Sequence, residues 1–70
     1  MMQLTLAKTG DSGTIKQITG SDQVRQHLAE LGFVVNAEVR IVNEIHGNLI
    51  VQIKDSRIAL DRKMASRIFI

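Results

Sequence analysis

From Ala37 onward, apolar and polar residues alternate with a period of two, which predicts short strands that each bury one face. Residues 46–48 (HGN) and residues 55–56 (DS) interrupt this alternation and predict two tight turns. The predicted inward positions of these strands are Ala37, Val39, Ile41, Ile45, Leu49, Val51, Ile53, Ile58 and Leu60, and the outward ones are Glu38, Arg40, Glu44, Gln52 and Lys54. Asp61 can cap a single helical turn from Arg62 to Ala65, and Ile68 and Ile70 then face inward.

The first twenty residues predict extended structure interrupted by a turn. Met2, Leu4 and Leu6 alternate with polar residues, which suits a half-buried extended segment. The sequence KTGDSG that follows is typical of a turn. Residues 14–19 (TIKQIT) predict a strand in which Ile15 and Ile18 are out of phase, and a bulge or bend between them would bring both inward.

A short helix is predicted next. Ser21 or Asp22 can cap its first turn by accepting hydrogen bonds from free backbone amides. A narrow apolar stripe at i, i+4 and i+7 is formed by Val24, Leu28 and Leu31. Gly32 can adopt the left-handed conformation that ends a helix, and Phe33 can then fold back on the last turn.

Together these elements predict a mainly β fold, a small barrel of five or six strands. One short helix is inserted after the first long strand, and a single helical turn precedes the last strand. Closing the barrel would remove exposed sheet edges. The alternative is a three-stranded antiparallel sheet with one helix packed across it. We expect residues 1–70 to form a single domain, because separate cores need longer chains.

Composition narrows the classes of function. The chain has no cysteine, which excludes internal disulfides, Fe–S clusters and thiolate zinc sites. Its net charge is +2, from 9 basic and 7 acidic residues scattered along the chain, so it lacks the dense basic footprint of a nucleic-acid binder. No apolar run approaches the roughly 20 residues that span a bilayer. We therefore expect a cytoplasmic protein with no direct membrane insertion.

The sequence contains no catalytic signature. It has no G-x-S-x-G, no H-E-x-x-H and no phosphate-binding loop. With neither cysteine nor tyrosine, a nucleophile would have to be Ser, Thr or Lys, activated by one of two histidines. Nothing in the spacing places such residues together, so we expect a non-enzyme that requires no cofactor.

Two residue pairs are candidate metal ligands. His27 and Glu30 are three apart on the predicted helix and therefore neighbours. Glu44 and His46 flank the predicted hairpin turn and would share a face if the strand continued that far. Each pair could take Fe(II) or another divalent metal, but a closed site usually needs four ligands. Alternatively, His27 borders the apolar stripe of the helix and His46 is an exposed turn residue.

A protein interface is favoured over a metal site. Three apolar residues are predicted to point outward from their strands: Val42, Ile50 and Phe69. Three more are consecutive in residues 33–36, the elbow after the helix: Phe33, Val34 and Val35. If several converge, the patch would mark a docking surface, which the basic residues Arg25, Arg40 and Arg67 could rim. The alternative is that the helix covers some of them and the others are scattered exposures. Two phenylalanines supply few stacking platforms, so nucleic-acid binding ranks below protein binding.

Three stretches resemble the FeoA family of small SH3-like barrels associated with bacterial ferrous iron transport. These are LAKTGDSGTIKQI, VRQHLAELGFVVNAEVRIV and RIALDRKMASRIFI, which together cover almost the whole chain. Two positions depart from the family pattern: His27 stands where an arginine is usual, and Val35-Asn36 stands where proline-glycine is common. Asparagine tolerates the left-handed conformation, so the turn can survive, whereas a role that depends on the arginine is in doubt.

The resemblance implies a cytoplasmic accessory protein without enzyme activity that acts with the large membrane transporter FeoB, which carries a GTP-binding domain. The same barrel also occurs as the C-terminal domain of DtxR-like metal-dependent repressors. A metal-sensing or regulatory domain that binds a transition metal directly is therefore the alternative, because fold alone does not settle function. An exposed strand edge could also pair two copies into a homo-oligomer.

Overall fold

Six short strands, two α-helices and one 3₁₀ turn make up the fold, and the computed structural model describes every residue from Met1 to Ile70. The 3₁₀ turn comprises Leu4–Leu6, and the helices are α1, Asp22–Glu30, and α2, Arg62–Ala65. The strands are β1, Ser12–Thr14; β2, Gln17–Ile18; β3, Glu38–Ile45; β4, Asn48–Ile53; β5, Ser56–Leu60; and β6, Ile68–Phe69. Neither α-helix has the length and apolar character that crossing a bilayer requires.

The strands form two antiparallel sheets. One has four strands in the order β1-β3-β4-β5, and the other pairs β2 with β6. The predicted element types are confirmed: the fold is mainly β, with one short helix after the early strands and a single helical turn before the last strand. The three-stranded alternative is wrong, since the main sheet has four strands. The two sheets are not joined into one closed ladder.

A bend at Ile15 carries the chain from one sheet to the other, as the opposite phases of Ile15 and Ile18 predicted. Ile15 is fully buried, and its backbone pairs with the elbow after α1, donating to the carbonyl of Ala37 and accepting from the amide of Asn36, both at 2.8 Å. The next amide, of Lys16, donates to the carbonyl of Phe69 in β6 at 2.8 Å. This bend ties β1, β6 and the elbow together.

The N-terminal prediction is wrong in part. Residues Leu4–Leu6 form a 3₁₀ turn in place of extended chain, so side chains on the same face recur every three residues instead of every two. Leu4 and Ala7 are buried as an i, i+3 pair, while Leu6 is 66% exposed. Met2 and Gln3 remain extended: Met2 exchanges two backbone hydrogen bonds of 2.8 and 2.9 Å with Ile70, and Gln3 forms an isolated antiparallel bridge with Phe69.

Helix α1 begins and ends as the sequence predicts. The Ser21 hydroxyl accepts a hydrogen bond from the amide of Val24 at 3.2 Å. Gly32 has φ +104°, and the amides of Gly32 and Phe33 donate to the carbonyls of Ala29 and Leu28, each at 2.9 Å. This pair of bonds is a Schellman motif, which satisfies carbonyls that a helix end otherwise leaves free. It also directs the Phe33 ring into the core.

The predicted inward and outward faces of the strands are correct except beyond a bulge in β3. The pairing of β3 with β4 shifts between Ile41 and Asn43, so Val42 is an extra residue without a partner. Beyond the bulge the faces exchange: Glu44 pairs with buried Leu49, and Ile45 points outward, 47% exposed. The prediction that Ile45 faces inward is therefore wrong, because one inserted residue reverses a period of two.

The first hairpin turn is one residue shorter than predicted, and the second lies one residue earlier than predicted. His46 and Gly47 form the first, both with positive φ (52° and 82°), so Asn48 already belongs to β4. Lys54 and Asp55 form the second, and Ser56 begins β5. Between the sheets lies a core of thirteen buried residues, aliphatic apart from one phenylalanine: Leu4, Ala7, Ile15, Leu28, Phe33, Val39, Ile41, Leu49, Val51, Ile53, Leu60, Ala65 and Ile68.

Candidate docking surface

The face of the four-stranded sheet that points away from the core carries one polar residue from each strand in a single row. Ser12 is registered with Arg40, Arg40 with Gln52, and Gln52 with Arg57. Directly paired residues of neighbouring strands point to the same side, so these four side chains share one face. We call this surface the outer sheet face; its residues are Ser12, Glu38, Arg40, Val42, Ile50, Gln52, Lys54, Arg57 and Ala59.

The two arginines of this row have no acidic partner. The ion pairs of the molecule join Arg25 to Asp22 and Arg62 to Glu44, and no carboxylate lies within 4 Å of Arg40 or Arg57. Gln52 lies between them: its Oε1 accepts from Arg57 Nε at 3.1 Å, and its Nε2 donates to the Lys54 carbonyl at 2.8 Å. Gln52 is thereby fixed at both ends and orients the guanidinium of Arg57.

Two adjoining clefts follow this row. A cleft of about 360 Å³ opens between the turn that precedes β1 and the strands, and its walls include Thr9, Gly10, Arg40, Val42 and Arg57. A second cleft of about 370 Å³ continues along the strands toward Glu38 and Lys54. Arg40 and Gln52 line both clefts, so together they form one open groove across the outer sheet face.

Apolar side chains border the cationic row on one side. The bulge places half-buried Val42 in the wall of the first cleft, next to Arg40. Half-buried Ile50 occupies the outward face of β4 and is registered with exposed Ala59 of β5. Of the predicted interface residues, the structure therefore gathers Arg40, Val42 and Ile50 on one face. Such a surface suits a ligand that combines negative charge with apolar groups.

The outer sheet face carries more positive than negative charge. It carries three cations, Arg40, Lys54 and Arg57, against the single carboxylate of Glu38, an excess equal to the +2 of the whole molecule. Reasoning from sequence placed Gln52 outward but did not single it out, and it did not single out Arg57. Both could have been found from the pairing of the strands, since Gln52 lies opposite Arg40 and Arg57 lies opposite Gln52 once the hairpin registers are fixed.

The elbow after α1 is divided between core and surface. Val34 and Val35 are 42% and 52% exposed, at the turn where Asn36 takes φ +78°. Phe33 was predicted as an interface residue, and the structure contradicts this: its side chain is fully buried. The Schellman motif turns Phe33 inward, so the elbow presents only the two valines.

The other predicted interface residues lie away from the outer sheet face. Arg25 is exposed on α1 and paired with Asp22 one turn earlier. Phe69 is half-buried in β6, registered with Gln17 in the two-stranded sheet. Arg67 is half-buried, and its side chain lies beside Gly20 at the start of α1. These three residues do not join Arg40 and Val42 in one surface.

The candidate metal ligands are placed as two separate pairs. His27 and Glu30 are both exposed on α1. In the second pair, Glu44 lies 3.6 Å from Arg62, and His46 lies in the turn after β3 has ended, so the continuous strand that would align their side chains is missing. Nowhere in the molecule do three His, Asp or Glu side chains come together in a group that could hold a metal ion.

Comparison with known sequences gives a match over almost the whole chain. A family model described as the FeoA domain matches residues 2–70. A protein of Methanocaldococcus jannaschii, named for Fe(2+) transport as transport protein A, is 27% identical over 70 residues, covering 100% of this chain and 85% of its own length.

Solved structures of similar shape include one transport protein and one regulator. A zinc-bound FeoA of Stenotrophomonas maltophilia, described as an SH3 domain protein and suggested to activate ferrous iron transport, has a TM-score of 0.84 and 29% identity, covering 99% of this chain and 88% of its own. A manganese-dependent transcriptional repressor has a TM-score of 0.84 and 26% identity, covering 94% of this chain and 38% of its own. The predicted SH3-like fold is thereby confirmed.

Proposed function

The chain belongs to the FeoA family of non-catalytic ferrous iron transport proteins, and from that premise we propose that it docks onto the cytoplasmic part of a FeoB-type transporter. In this role the protein is a cytoplasmic accessory subunit whose effect on transport depends on contact with its partner. The expectation that it is not an enzyme agrees with the family assignment.

The observation that supports docking is the outer sheet face. It combines two unpaired arginines with exposed apolar area, on a sheet whose opposite side is packed into the core. Arg40 and Arg57 lie two strands apart with no acid between them, so their charges repel each other. Contact with an acidic partner would turn this repulsion into attraction and would speed association.

Direct titration tests the proposal. The purified cytoplasmic GTP-binding part of the transporter is added to the chain in three states: without nucleotide, with GDP and with a non-hydrolysable GTP analogue. Saturable binding in at least one state is the expected result, and it should weaken as salt rises, because exposed charges are screened at distances beyond about 8 Å at physiological ionic strength. Absence of binding in all three states at low salt would contradict the proposal.

A second reading, direct metal sensing, draws support from the similarity to the manganese-dependent repressor. Titration with Fe(II) under anaerobic conditions separates the two readings. A sensor should bind a stoichiometric amount of metal and lose that binding in His27→Gln or His46→Asn variants, whereas a docking module retains its partner affinity in both variants.

A further inference from the structure

We propose that the free edge of β5, beside the outer sheet face, binds an extended acidic segment of a protein partner as an added strand. Arg57 would hold a carboxylate of the segment, Ala59 and Ile50 would contact its apolar side chains, and Arg40, two strands from that edge, would add a longer-range attraction. The identity of the partner rests on the proposed function; the site and the chemistry of its ligand rest on the geometry that follows.

The free edge of β5 provides the backbone partner. β5 is the last strand of its sheet and pairs only with β4, and residues 56–60 make no other backbone hydrogen bonds. Ser56 and Ile53 flank a two-residue turn and so form a hydrogen-bonded pair, after which bonded and non-bonded pairs alternate. The backbone groups of Arg57 and Ala59 therefore face away from β4, where an added strand can bond to them.

The side chains beside that edge supply the charge. Arg57 uses Nε to bond Gln52, so its two terminal amino groups are without a protein partner. Arg40 lies across Gln52 on the next strand and also has no bonded partner. The nearby acid Asp11 is engaged, because its Oδ2 accepts from the Lys8 amide at 2.9 Å. Carboxylates from outside the chain are the groups that complete this row.

The apolar neighbours favour a peptide over a small anion. Arg57 and Ala59 are two residues apart on β5 and share one face, with Ile50 beside Ala59. A strand added next to β5 would place alternate side chains over the same two positions, about 7 Å apart. The expected ligand is therefore a segment with Asp or Glu, then any residue, then Val, Ile or Leu. Inorganic phosphate offers nothing to the apolar side chains of Ile50 and Ala59.

A designed peptide tests the site. We would titrate the ¹⁵N-labelled chain with a peptide of about ten residues in which Glu and Val alternate on one face of an extended strand, with Thr at the positions between. We expect amide shifts concentrated at Gln52, Arg57 and Ala59. Arg57→Gln should weaken binding about three- to five-fold, the range expected for an exposed ion pair, and Arg40→Gln should weaken it less, because Arg40 lies two strands from the edge of β5. Lys63→Gln, with the same change of charge away from the groove, should bind like the wild type.

A second arm tests strand pairing. Methylating the peptide amides that would face β5 should abolish binding, while methylating the amides that face away should leave it unchanged. Equal binding of both methylated peptides would overturn the strand-addition geometry, and shifts of the same residues by inorganic phosphate at equal charge concentration would overturn the assignment to a peptide.

The outcomes separate this inference from the proposed function. If the peptide binds as described but the transporter's cytoplasmic part does not, the edge of β5 is a site for acidic segments and the docking proposal fails. If the transporter part binds the Arg40→Gln, Arg57→Gln double variant as tightly as the wild type, docking stands and this inference fails. Wild-type spectra of the double variant would show that the fold is intact in either case.

Discussion

In the segment from Ser21 to Phe33, the helix cap, the arginine and the last turn all have partners within the segment. On the outer sheet face, by contrast, two arginine side chains have no acidic partner. In the first region Ser21 caps α1, Arg25 pairs with Asp22, and the Schellman motif satisfies the last turn. In the second, no carboxylate lies within 4 Å of Arg40 or Arg57. This difference is why we propose that the outer sheet face recognises a partner, while the helix and its elbow mainly stabilise the fold.

The largest effect is expected from Phe33→Ala. The ring is fully buried, so its removal should cost about 3–5 kcal/mol. A 70-residue domain has a total stability of roughly 4–10 kcal/mol, so the variant should be largely unfolded or close to it. Urea denaturation measures the loss. Val34→Ala, next in the chain and 42% exposed, is the control and should change stability by about 0.5 kcal/mol or less. Equal losses of stability in the two variants would mean that the Phe33 side chain is exposed and not part of the core.

A smaller loss is expected from Gly32→Ala. The space beside Gly32 is adequate, since an added Cβ would lie 3.5 Å from Ile53, but φ is +104° and strains any side chain with a Cβ. The cost should be about 1–2 kcal/mol in the free energy of unfolding. Gly32→Asn should lose less, because asparagine tolerates positive φ better than alanine. An alanine variant as stable as the wild type would mean that the Schellman motif contributes nothing.

Removing both unpaired arginines should barely change stability. The Arg40→Gln, Arg57→Gln double variant loses no ion pair and relieves repulsion between like charges, so its free energy of unfolding should stay within about 0.5 kcal/mol of the wild type. Its affinity for the transporter's cytoplasmic part should nevertheless fall by about ten-fold or more, as two exposed charge contacts are lost. A loss of stability as large as that of Gly32→Ala would mean that these arginines are structural.

No effect on docking is expected from His27→Gln. His27 is exposed on α1 and does not line the groove. Partner affinity, measured by the same titration, should match the wild type. Weaker binding in this variant alone would shift the docking surface to the helix.

Sequence reasoning succeeded where local chemistry determines the structure. The cap at Ser21, the stop at Gly32 and the helical turn capped by Asp61 each depend on a few neighbouring residues, and all three are present. It failed where tertiary pairing decides. The bulge at Val42 has no signature of its own in the sequence, yet it reverses the face of every later residue of β3, including Ile45.

The candidate surface was predictable only in part, for the same reason. Arg40, Val42 and Ile50 were expected to point outward, but their meeting with Arg57 depends on the register between β3, β4 and β5. Phe33 was misassigned because an apolar residue after a helix stop can either fold back or project outward. The hydrogen bond from its amide to Leu28, which settles the choice, is a property of the folded chain.

Mapping the docking surface by NMR tests the central claim most directly. The ¹⁵N-labelled chain is titrated with the transporter's cytoplasmic part, and amide shifts are followed residue by residue. We predict that the largest shifts fall on the outer sheet face, at Arg40, Gln52, Arg57 and Ala59, with α1 little changed. Shifts concentrated on α1 and on Val34 and Val35, with the outer sheet face unaffected, would contradict the account.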